Sequence, residues 1–434
     1  MYRNAIKKLI EWKASPYRKP LILEGARQVG KTWLMKEFAK QAYTDSVYIN
    51  FDNEPLARQI FEPDLDTKRI LRELSLLKGK QILPNMLVIF DEIQEMPKAL
   101  LSLKYFYENA PEYHIICAGS LLGIALHQGT NFPVGKVEFL KLYPLSFAEF
   151  LDAWHRKQYA ELLYSGDADT INRFSNIFEE ALRYYYYIGG MPEAVMRFIE
   201  TEDFEQVRSV HENILSAYTN DYSKHAPRDQ IPRIDLVWNS IPSQLARENK
   251  KFLFGLVREG GRARDFEIAL MWLHDCGLIH QIYRTTKPAV PLKAYTDLKG
   301  FKIYMLDVGL LGCMADLDPK VIIKGNHILS EFKGAMTEQF VCQELKANCS
   351  NTICYYTNER NSSEIDFLID NGDSIIPVEV KAETNLQAKS LQSYIQKYEP
   401  QIAIRTSMCH LKNEPKLMNL PLYTIGAWKS WLPI

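Results

Sequence analysis

Short apolar runs alternate with amphipathic stretches over the first third of the chain. Four of these runs have the length and hydrophobicity of buried strands, and they lie at 21–23, 46–51, 86–90 and 113–117. Helix-like patterns, such as the one over 32–43, lie between them. Because strands that alternate with helices build a parallel sheet covered on both faces, residues 1–145 predict a doubly wound α/β domain.

The middle of the chain has a mainly helical pattern. Residues 146–228 are rich in aromatic side chains and contain a Gly-Gly-Met-Pro turn signal at 189–192. Residues 229–328 predict further helices, followed by apolar runs at 278–283 and 302–306. Helices followed by a small hairpin indicate a winged-helix-like segment after the mainly helical residues 146–228.

The remaining residues, 329–434, show the pattern of another α/β unit. An amphipathic helix over 331–346 is followed by strand-like runs and by a second helical pattern over 387–398. The strand-like runs lie at 352–357, 364–370, 374–381 and 402–405, with a last one near Leu422. We therefore expect a separate C-terminal α/β domain.

Length and composition are those of an ordinary globular protein with several domains. The chain has 434 residues, of which 47% are hydrophobic and 24% are charged, and its net charge is −1. Domains usually contain about 100–200 residues, so two to four are expected. The near-neutral charge points to neither nucleic acid nor a membrane surface, although it leaves room for a local basic patch.

Cysteine usage and hydropathy favour a cytoplasmic protein. The seven cysteines form no CxxC pair, which argues against a disulfide framework or a structural zinc site. The first residues lead into an amphipathic stretch, and the longest mostly apolar run, 115–126, is shorter than the ~18 residues of a membrane span. We therefore expect a reducing compartment and no membrane partner.

Residues 25–32 carry the strongest chemical signal in the sequence. The motif Gly25-Ala26-Arg27-Gln28-Val29-Gly30-Lys31-Thr32 matches G-x-x-x-x-G-K-[ST] without a gap, between an apolar run and a helical pattern. Glycines let the backbone curl so that its N–H groups and the positive end of the helix face phosphate oxygens. The motif predicts ATP binding by all eight residues, with Lys31 on the β- and γ-phosphates and Thr32 on Mg²⁺. A glycine turn before a surface helix is the alternative.

Two acids follow the apolar run at 86–90. In a parallel sheet, ligands bind at the carboxyl ends of the strands. We therefore expect Asp91 to hold Mg²⁺ together with Thr32, and Glu92 to orient and activate the attacking water. Ser120 follows the next strand, where a polar side chain can sense the γ-phosphate, and a serine in an ordinary strand-to-loop turn is the alternative.

The segment 364–381 predicts a hairpin with a charged face. The Asn-Gly pair at 371–372 is typical of a two-residue turn, which pairs Asp366 with Pro377. This register places four charged residues on one face, namely Glu364, Asp366, Glu379 and Lys381. Clustered carboxylates repel each other unless a cation or a proton relieves them, so the hairpin is a candidate ligand site.

Together with an acid on the preceding helix, the hairpin residues resemble the PD-(D/E)xK nuclease pattern of a helix Glu, a strand Asp and a Glu-x-Lys. The matching residues are Glu338, Asp366, Glu379 and Lys381. The resemblance implies a restriction-endonuclease-like fold, in which Asp366 and Glu379 share Mg²⁺ and Lys381 stabilises phosphate charge. A half-exposed hairpin whose acids are simply neutralised by Lys381 is the alternative.

Seven sequence motifs lie along nearly the whole chain, at 25–32, 90–94, 118–120, 142–150, 189–192, 241–246 and 304–310. In these motifs the chain resembles the AAA-type ATPases of bacteria and archaea that carry a C-terminal domain of unknown function, DUF4143. The resemblance implies four segments: an AAA+ core at 1–145, a helical lid at 146–228, a winged-helix-like segment at 229–328 and a DUF4143 domain at 329–434.

AAA-type ATPases often complete their site with an arginine from a neighbouring subunit. In this chain the stretch in which such a finger would be sought contains Lys136, and Arg183 is a candidate lid arginine. A homo-oligomer is therefore a hypothesis.

Three functions agree with these patterns. The first is an ATP-hydrolysing switch that uses Mg²⁺, with Lys31, Glu92 and Ser120 as the catalytic residues. The second is an ATP-regulated DNA nuclease at the C-terminal site. The third is a slow, nucleotide-gated scaffold. ATP and Mg²⁺ are the predicted ligands, and DNA or a protein client are the predicted partners.

Overall fold

A computed structural model describes residues 1–119, 132–247, 250–319, 330–358, 363–382 and 389–432, and it gives only the backbone of residues 330 and 331. These residues form two compact units. One contains Tyr2–Tyr143 and Asp275–Gly277, and the other contains Pro144–His274 and Leu278–Ile434.

The amino-terminal unit alternates strands and helices as the hydrophobic pattern predicts. Its strands are β1 (Leu21–Glu24), β2 (Ser46–Asn50), β3 (Leu87–Asp91), β4 (His114–Ala118) and β5 (Glu138–Lys141). Its helices are Ala5–Ala14, Lys31–Ala42, Pro55–Ile60, Thr67–Lys78 and Pro97–Asn109, with a 3₁₀ turn at Ile93–Glu95. The predicted α/β fold is confirmed, although the short strand β5 is not apparent from the sequence.

All five strands are parallel, in the order β2-β3-β4-β1-β5. Their carboxyl ends therefore meet at one edge of the sheet. The loop of residues 25–30 leaves this edge after β1, and β3 ends there at Asp91. Strand β4 lies between β1 and β3. The loop after β1 and the end of β3 are therefore close enough to contact the same ligand.

Aromatic packing supports the strand that carries the acids. Phe90 of β3 contacts Phe51 and Phe61 edge-on, with ring centroids 5.5 and 5.8 Å apart, and all three rings are buried. Such edge-to-face pairs contribute about 0.5–1.5 kcal/mol beyond the burial of area. The residue before Asp91 is thereby held in the core.

The second unit contains a helical part and a large sheet. Its helices are Phe147–Ala153, Lys157–Leu162, Ala168–Arg173, Ser175–Ile188, Pro192–Thr201, Phe204–His225, Ile231–Leu245, Phe254–Val257, Ala263–Asp275, Val308–Met314, Ser330–Asn348 and Lys389–Tyr398, with 3₁₀ segments at Leu292–Tyr295 and Leu422–Trp431. Its strands are β6 (Ile279–Thr285), β7 (Thr296–Met305), β8 (Ile353–Thr357), β9 (Glu364–Asp370), β10 (Ile375–Val380), β11 (Ala403–Ser407), β12 (Lys412–Glu414) and β13 (Leu417–Pro421).

These eight strands form one mixed sheet in the order β12-β13-β11-β10-β9-β8-β6-β7. The hairpin of β6 and β7, which we assigned to the segment 229–328, pairs through β6 with β8 of the segment 329–434. The two predicted segments therefore share a sheet. Near the end of the chain, β13 stops at Pro421, and Leu422 begins a 3₁₀ segment rather than a strand.

Two glycine motifs meet by close backbone packing in this unit. The Asp307 carboxylate accepts hydrogen bonds from the N–H groups of Gly190, at 2.6 Å, and Leu310, at 3.1 Å. A β-carbon on Gly190 would lie 2.1 Å from the carbonyl oxygen of Leu145. Burial raises the pKa of Asp307 to about 6, although these backbone hydrogen bonds oppose the rise. The motifs at 189–192 and 304–310 therefore have a packing role.

No helix in the described ranges is both long enough and apolar enough to cross a membrane.

Candidate functional site

The loop between β1 and the helix Lys31–Ala42 adopts a conformation that requires glycine. Gly25 has a φ of +146°, and a β-carbon there would lie 2.3 Å from the carbonyl oxygen of Leu142. Gly30, with a φ of +94°, is the N-terminal capping residue of the helix. The loop thus curls immediately before a helix N-terminus, where backbone N–H groups and the helix dipole attract anions.

Lys31 is folded against this loop. Only 7% of the residue is exposed, and its Nζ donates hydrogen bonds of 2.7 Å to the carbonyl oxygens of Gly25 and Ala26. An ammonium group held at the loop adds positive charge next to the helix N-terminus. This arrangement suits the phosphates of a nucleotide.

Arg3 also holds the loop, and sequence reasoning missed it. The buried guanidinium donates to the carbonyl oxygens of Val29, at 3.1 Å, and Tyr143, at 2.5 Å. No local pattern signals this contact, because the three residues are far apart in sequence.

Thr32 and Asp91 meet as predicted from the parallel sheet. The Thr32 hydroxyl donates to Oδ2 of Asp91 at 2.6 Å, and the backbone N–H of Glu92 donates to Oδ1 at 3.1 Å. Asp91 is 3% exposed. A hydroxyl and a carboxylate are oxygen donors of the kind that Mg²⁺ takes from proteins, while phosphates and water complete its coordination. These two residues therefore fit the cation.

Tyr48 is a further residue that the sequence reasoning missed. Its hydroxyl donates to the same Oδ2 of Asp91 at 2.8 Å. Burial, and then the hydrogen bond to Asp91, raise the pKa of Tyr48 to about 12, so the hydroxyl keeps its proton. A signal was present, since β2 ends beside β3 with Asn50 opposite Asp91, and Tyr48 lies two residues earlier on the same face.

Glu92 has an unusual backbone conformation. Its φ of 49° and ψ of 46° lie in the left-handed region, which non-glycine residues seldom adopt. Gln94 Nε2 donates to Oε2 of Glu92 at 2.6 Å and orients the carboxylate. Strain of this kind is frequent at functional sites.

Three further residues that the sequence suggested for this site stay predictions. Ser120 lies outside the described residues. Lys136 forms an ion pair of 2.9 Å with Glu108, and Arg183 is exposed in the helix Ser175–Ile188. The arginine finger and the lid arginine therefore stay predictions.

The hairpin that carries the C-terminal acids differs from the predicted one. Asp370 lies opposite Ile375, so four residues, 371–374, form the connection between β9 and β10. The Asp370 carboxylate accepts a hydrogen bond of 3.0 Å from the N–H of Gly372, and this local turn competes with the predicted one. The predicted turn at 371–372 is therefore wrong in its register, because the N–H of Asn371 donates to the carbonyl oxygen of Ser374 at 2.9 Å and the turn closes around 372–373.

The observed register nevertheless keeps the predicted face. Val378 lies opposite Phe367. Asp366 therefore has Glu379 as its cross-strand neighbour, two residues beyond the predicted Pro377. Because side chains alternate along a strand, a shift of two residues leaves the same residues on each face.

A lysine that the sequence reasoning missed lies inside the acid cluster. Lys302, in β7, is 0% exposed. Its Nζ lies 2.5 Å from Oε1 of Glu364, 3.5 Å from Oε2 of Glu338 and 3.9 Å from Oδ1 of Asp366. Burial opposes the charge of Lys302, but the carboxylates, Glu338 foremost, raise the pKa of its ammonium above the ordinary lysine value.

Glu338 has a second cationic partner. Lys250 forms an ion pair with its Oε1, and the hydroxyl of Tyr304 donates to its Oε2 at 2.9 Å. Burial alone raises the pKa of a carboxyl, yet Lys302 and Lys250 lower the pKa of Glu338 to about 2. Glu338 is therefore ionised and neutralised by the chain itself.

The other end of the cluster contains the Glu-x-Lys pair. Lys381 Nζ lies 2.8 Å from Oε1 of Glu379, and the buried Oε2 of Glu379 has no hydrogen-bond partner within the described ranges. The N–H of Val380 donates to Oδ2 of Asp366 at 2.8 Å. Burial, then the charges of Glu338 and Glu379, raise the pKa of Asp366 well above its ordinary value.

This cluster does not fit a divalent cation. The structure brings all four predicted residues into one charged network, but the described residues contain no group of three or more His, Cys, Asp or Glu side chains arranged to hold a metal ion. The Lys302 ammonium lies between Glu338 and Asp366, where such an ion would need their oxygens.

Three solved structures of archaeal proteins have a weak likeness to this chain. The ORC2 protein of Aeropyrum pernix, in its ADPNP-ADP complexes, has 14% identity and a TM-score of 0.40, covering 74% of this chain and 92% of that one. The ORC1 protein of the same organism, in complex with DNA, has 14% identity and a TM-score of 0.32, covering 73% and 93%. Cdc6p of Pyrobaculum aerophilum has 13% identity and a TM-score of 0.26, covering 74% and 93%. These likenesses are too weak to support a function.

No curated protein matches the chain. Three family models match it, namely an AAA domain at 17–151, a domain of unknown function, DUF8612, at 179–321, and DUF4143 at 333–423. The first contains the loop 25–32 and Asp91, and the last contains the hairpin of β9 and β10. The chain therefore contains an AAA domain followed by a DUF4143 domain, in the order that the sequence motifs predict.

Proposed function

We propose that this protein binds ATP with Mg²⁺ at the loop 25–32 and hydrolyses it. The observation that carries the proposal is the 2.6 Å hydrogen bond between Thr32 and Asp91, which joins the helix after the loop to the end of the acid strand. A glycine loop alone would serve any anion. The carboxylate next to the Thr32 hydroxyl adds the cation ligands that a nucleoside triphosphate requires.

Each residue has a distinct role in this proposal. The loop N–H groups and Lys31 bind the phosphates, and Thr32 and Asp91 hold Mg²⁺. When bound, Mg²⁺ neutralises charge that develops on the phosphate oxygens. Glu92, oriented by Gln94, positions and polarises the attacking water. Ser120 is the predicted γ-phosphate sensor.

The test is Mg²⁺-dependent ATP hydrolysis by the wild type and three variants. We expect Lys31→Ala to lose ATP binding, and Glu92→Gln to keep binding while turnover falls by about 10²-fold or more. Glu95→Gln is the matched control, since it removes the same charge three residues away and should hydrolyse ATP normally. Binding is measured with a fluorescent ATP analogue, and hydrolysis by phosphate release.

The outcomes separate the hypotheses. Wild-type hydrolysis that survives in Glu92→Gln would refute the assigned role of Glu92. ATP binding without any wild-type turnover would favour the nucleotide-gated scaffold. Each reaction is also run with DNA and with increasing protein concentration, because DNA and a second copy of the chain are predicted partners. Stimulation by either would support that partner.

The nuclease hypothesis has weaker support. Its proposed metal ligands are ion-paired to lysines, whereas Thr32 and Asp91 contact each other as neutral donor and carboxylate. We therefore place the proposed chemistry at the ATP site.

A further inference from the structure

The cluster in the C-terminal sheet joins three elements that are distant in sequence. Lys302 lies in β7, Glu338 in the helix Ser330–Asn348, and Glu364 and Asp366 in β9. All three carboxylates are within 3.9 Å of one ammonium nitrogen. The ring of Tyr355, whose centroid is 5.1 Å from this nitrogen, adds a cation–π contact.

Charge in the cluster is nearly balanced without any added ion. Among the residues that the structure describes, the ammonium groups are Lys250, Lys302 and Lys381, and the carboxylates are Glu338, Glu364, Asp366 and Glu379. The excess is one negative charge, which a proton on one carboxyl would remove. A divalent cation would instead leave an excess of positive charge in a buried site, where unpaired charge is strongly unfavourable.

The geometry also argues against replacement of the Lys302 ammonium by a metal ion. Lys302 has no exposed surface, so its ammonium could not move into water to make room for a metal. Asp366 uses Oδ2 to accept the N–H of Val380, and its Oδ1 faces Lys302. Within the described part of the chain, Oε2 of Glu379 is then the one carboxylate oxygen of this pair without a partner, and a single ligand is too few for a bound Mg²⁺ or Mn²⁺.

We propose that the Lys302 ammonium occupies the cation position of this cluster, so that Glu338, Glu364 and Asp366 hold an internal lysine in place of a divalent metal ion. The cluster then ties the helix Ser330–Asn348 to the sheet. The inference does not depend on the ATPase proposal, because none of these residues belongs to the loop 25–32 or to Asp91.

Mn²⁺ binding to the full chain without nucleotide tests the inference. The parent protein for this test carries Asp91→Asn, so that the ATP site adds no metal. Calorimetric titration and thermal unfolding are compared for this parent, for the parent with Lys302→Ala, and for the parent with both Lys302→Ala and Asp366→Asn. We expect no Mn²⁺ effect on the parent. We expect binding of one Mn²⁺ and a higher unfolding temperature in Lys302→Ala, both lost when Asp366 is also replaced.

Lys381→Ala is the matched control. It removes the same charge from the cluster but leaves the Lys302 position filled, so it should show no Mn²⁺ response. An equal response in both variants would show that net charge, rather than the position of Lys302, governs binding, and would overturn the inference. Mn²⁺ bound by the parent and lost with Asp366→Asn would overturn it directly.

A second measurement covers the case in which Lys302→Ala does not fold even with Mn²⁺. Lys302→Met is compared with the double variant Lys302→Met/Glu364→Gln, which removes the closest ion pair as a unit. Glu364 is chosen because Glu338 would leave Lys250 without its partner. Lys302→Met should lower the unfolding temperature, and the double variant should reverse most of that decrease, because it also removes the carboxylate that lost its cation. No recovery would contradict a lysine held by these charges.

Discussion

The ATP site and the C-terminal cluster both place an aspartate on a strand, yet the partners of the two side chains differ in charge. Asp91 accepts hydrogen bonds from the neutral hydroxyls of Thr32 and Tyr48. Asp366 lies beside the ammonium of Lys302 and among other acids. A neutral donor leaves the negative charge of a carboxylate available to a cation, whereas an internal ammonium takes the place that a bound cation would need.

A buried carboxylate with a third kind of surroundings lies on the helix that carries Glu338. Glu344 lies on the same helix and is also buried, but its partners are amides, namely the N–H of Phe147 at 2.7 Å and the side chain of Asn348 at 3.3 Å. Burial raises the pKa of Glu344 to about 8, while lysines lower that of Glu338 to about 2. Both glutamates are buried, so the lysines beside Glu338 account for the difference in charge between them.

The largest effect should distinguish Asp91 from Asp366. Asp91→Asn removes a proposed Mg²⁺ ligand and should lower ATP turnover by about 10²-fold or more. Asp366→Asn makes the same chemical change in the other region and should leave turnover within about twofold of wild type, because differences below ~0.5 kcal/mol are ordinary for a residue outside the site. Phosphate release measures both. Equal losses would refute the contrast between the regions.

A stability effect of intermediate size should come from Glu344→Gln. The folded-state pKa of Glu344 lies above its ordinary value of 4.5, at about 8. The stability that the protonated Glu344 carboxyl provides is therefore fully present at pH values below its ordinary pKa. It is lost as the pH rises through the pKa of the folded state. Gln mimics the protonated acid, so the variant should match wild type near pH ~4 and exceed it by about 2 kcal/mol near pH ~6.

Urea unfolding across this pH range measures the difference. Glu149, which also carries negative charge towards Glu344, is unchanged in both proteins. A gap between the variant and wild type that does not change with pH would show that Glu344 is already ionised at low pH.

The smallest effect should come from Tyr48→Phe. Loss of the hydroxyl removes one of the two donors to Oδ2 of Asp91, so the Mg²⁺ concentration for half-maximal hydrolysis should rise by about tenfold. The KM for ATP at saturating Mg²⁺ should change little. Tyr43→Phe is the control, because its hydroxyl contacts His114 at 2.7 Å and not Asp91. A purely structural role for Tyr48 would instead lower the unfolding temperature without changing the Mg²⁺ dependence.

Local sequence patterns were sufficient to predict much of the proposed ATP site. The loop 25–32 and the acids at 91 and 92 are contiguous motifs, and the strand before each is a short apolar run. Their meeting follows from one rule, that parallel strands present their carboxyl ends at the same edge. The bounds of β1 to β4 agree with the predicted runs within a few residues for the same reason.

The residues that the sequence did not reveal act over long separations. Tyr48 and Arg3 reach the site through strand pairing and through contact with distant carbonyl groups. Lys302 enters the acid cluster because β6 pairs with β8 across the predicted boundary at 328. Neither periodicity nor motif spacing carries this information, since each describes only neighbours along the chain.

The amino-acid sequence by itself determined the loop that we propose as the nucleotide site and the residues that share a face of the C-terminal hairpin, because both depend on local geometry. The tertiary structure alone decided the partners of the carboxylates in the second unit, and with them whether an acid there faces an amide or an ammonium. The charge and the chemistry of a buried carboxylate depend on that partner, because inside a protein an ion is stable only where a neighbouring group replaces water.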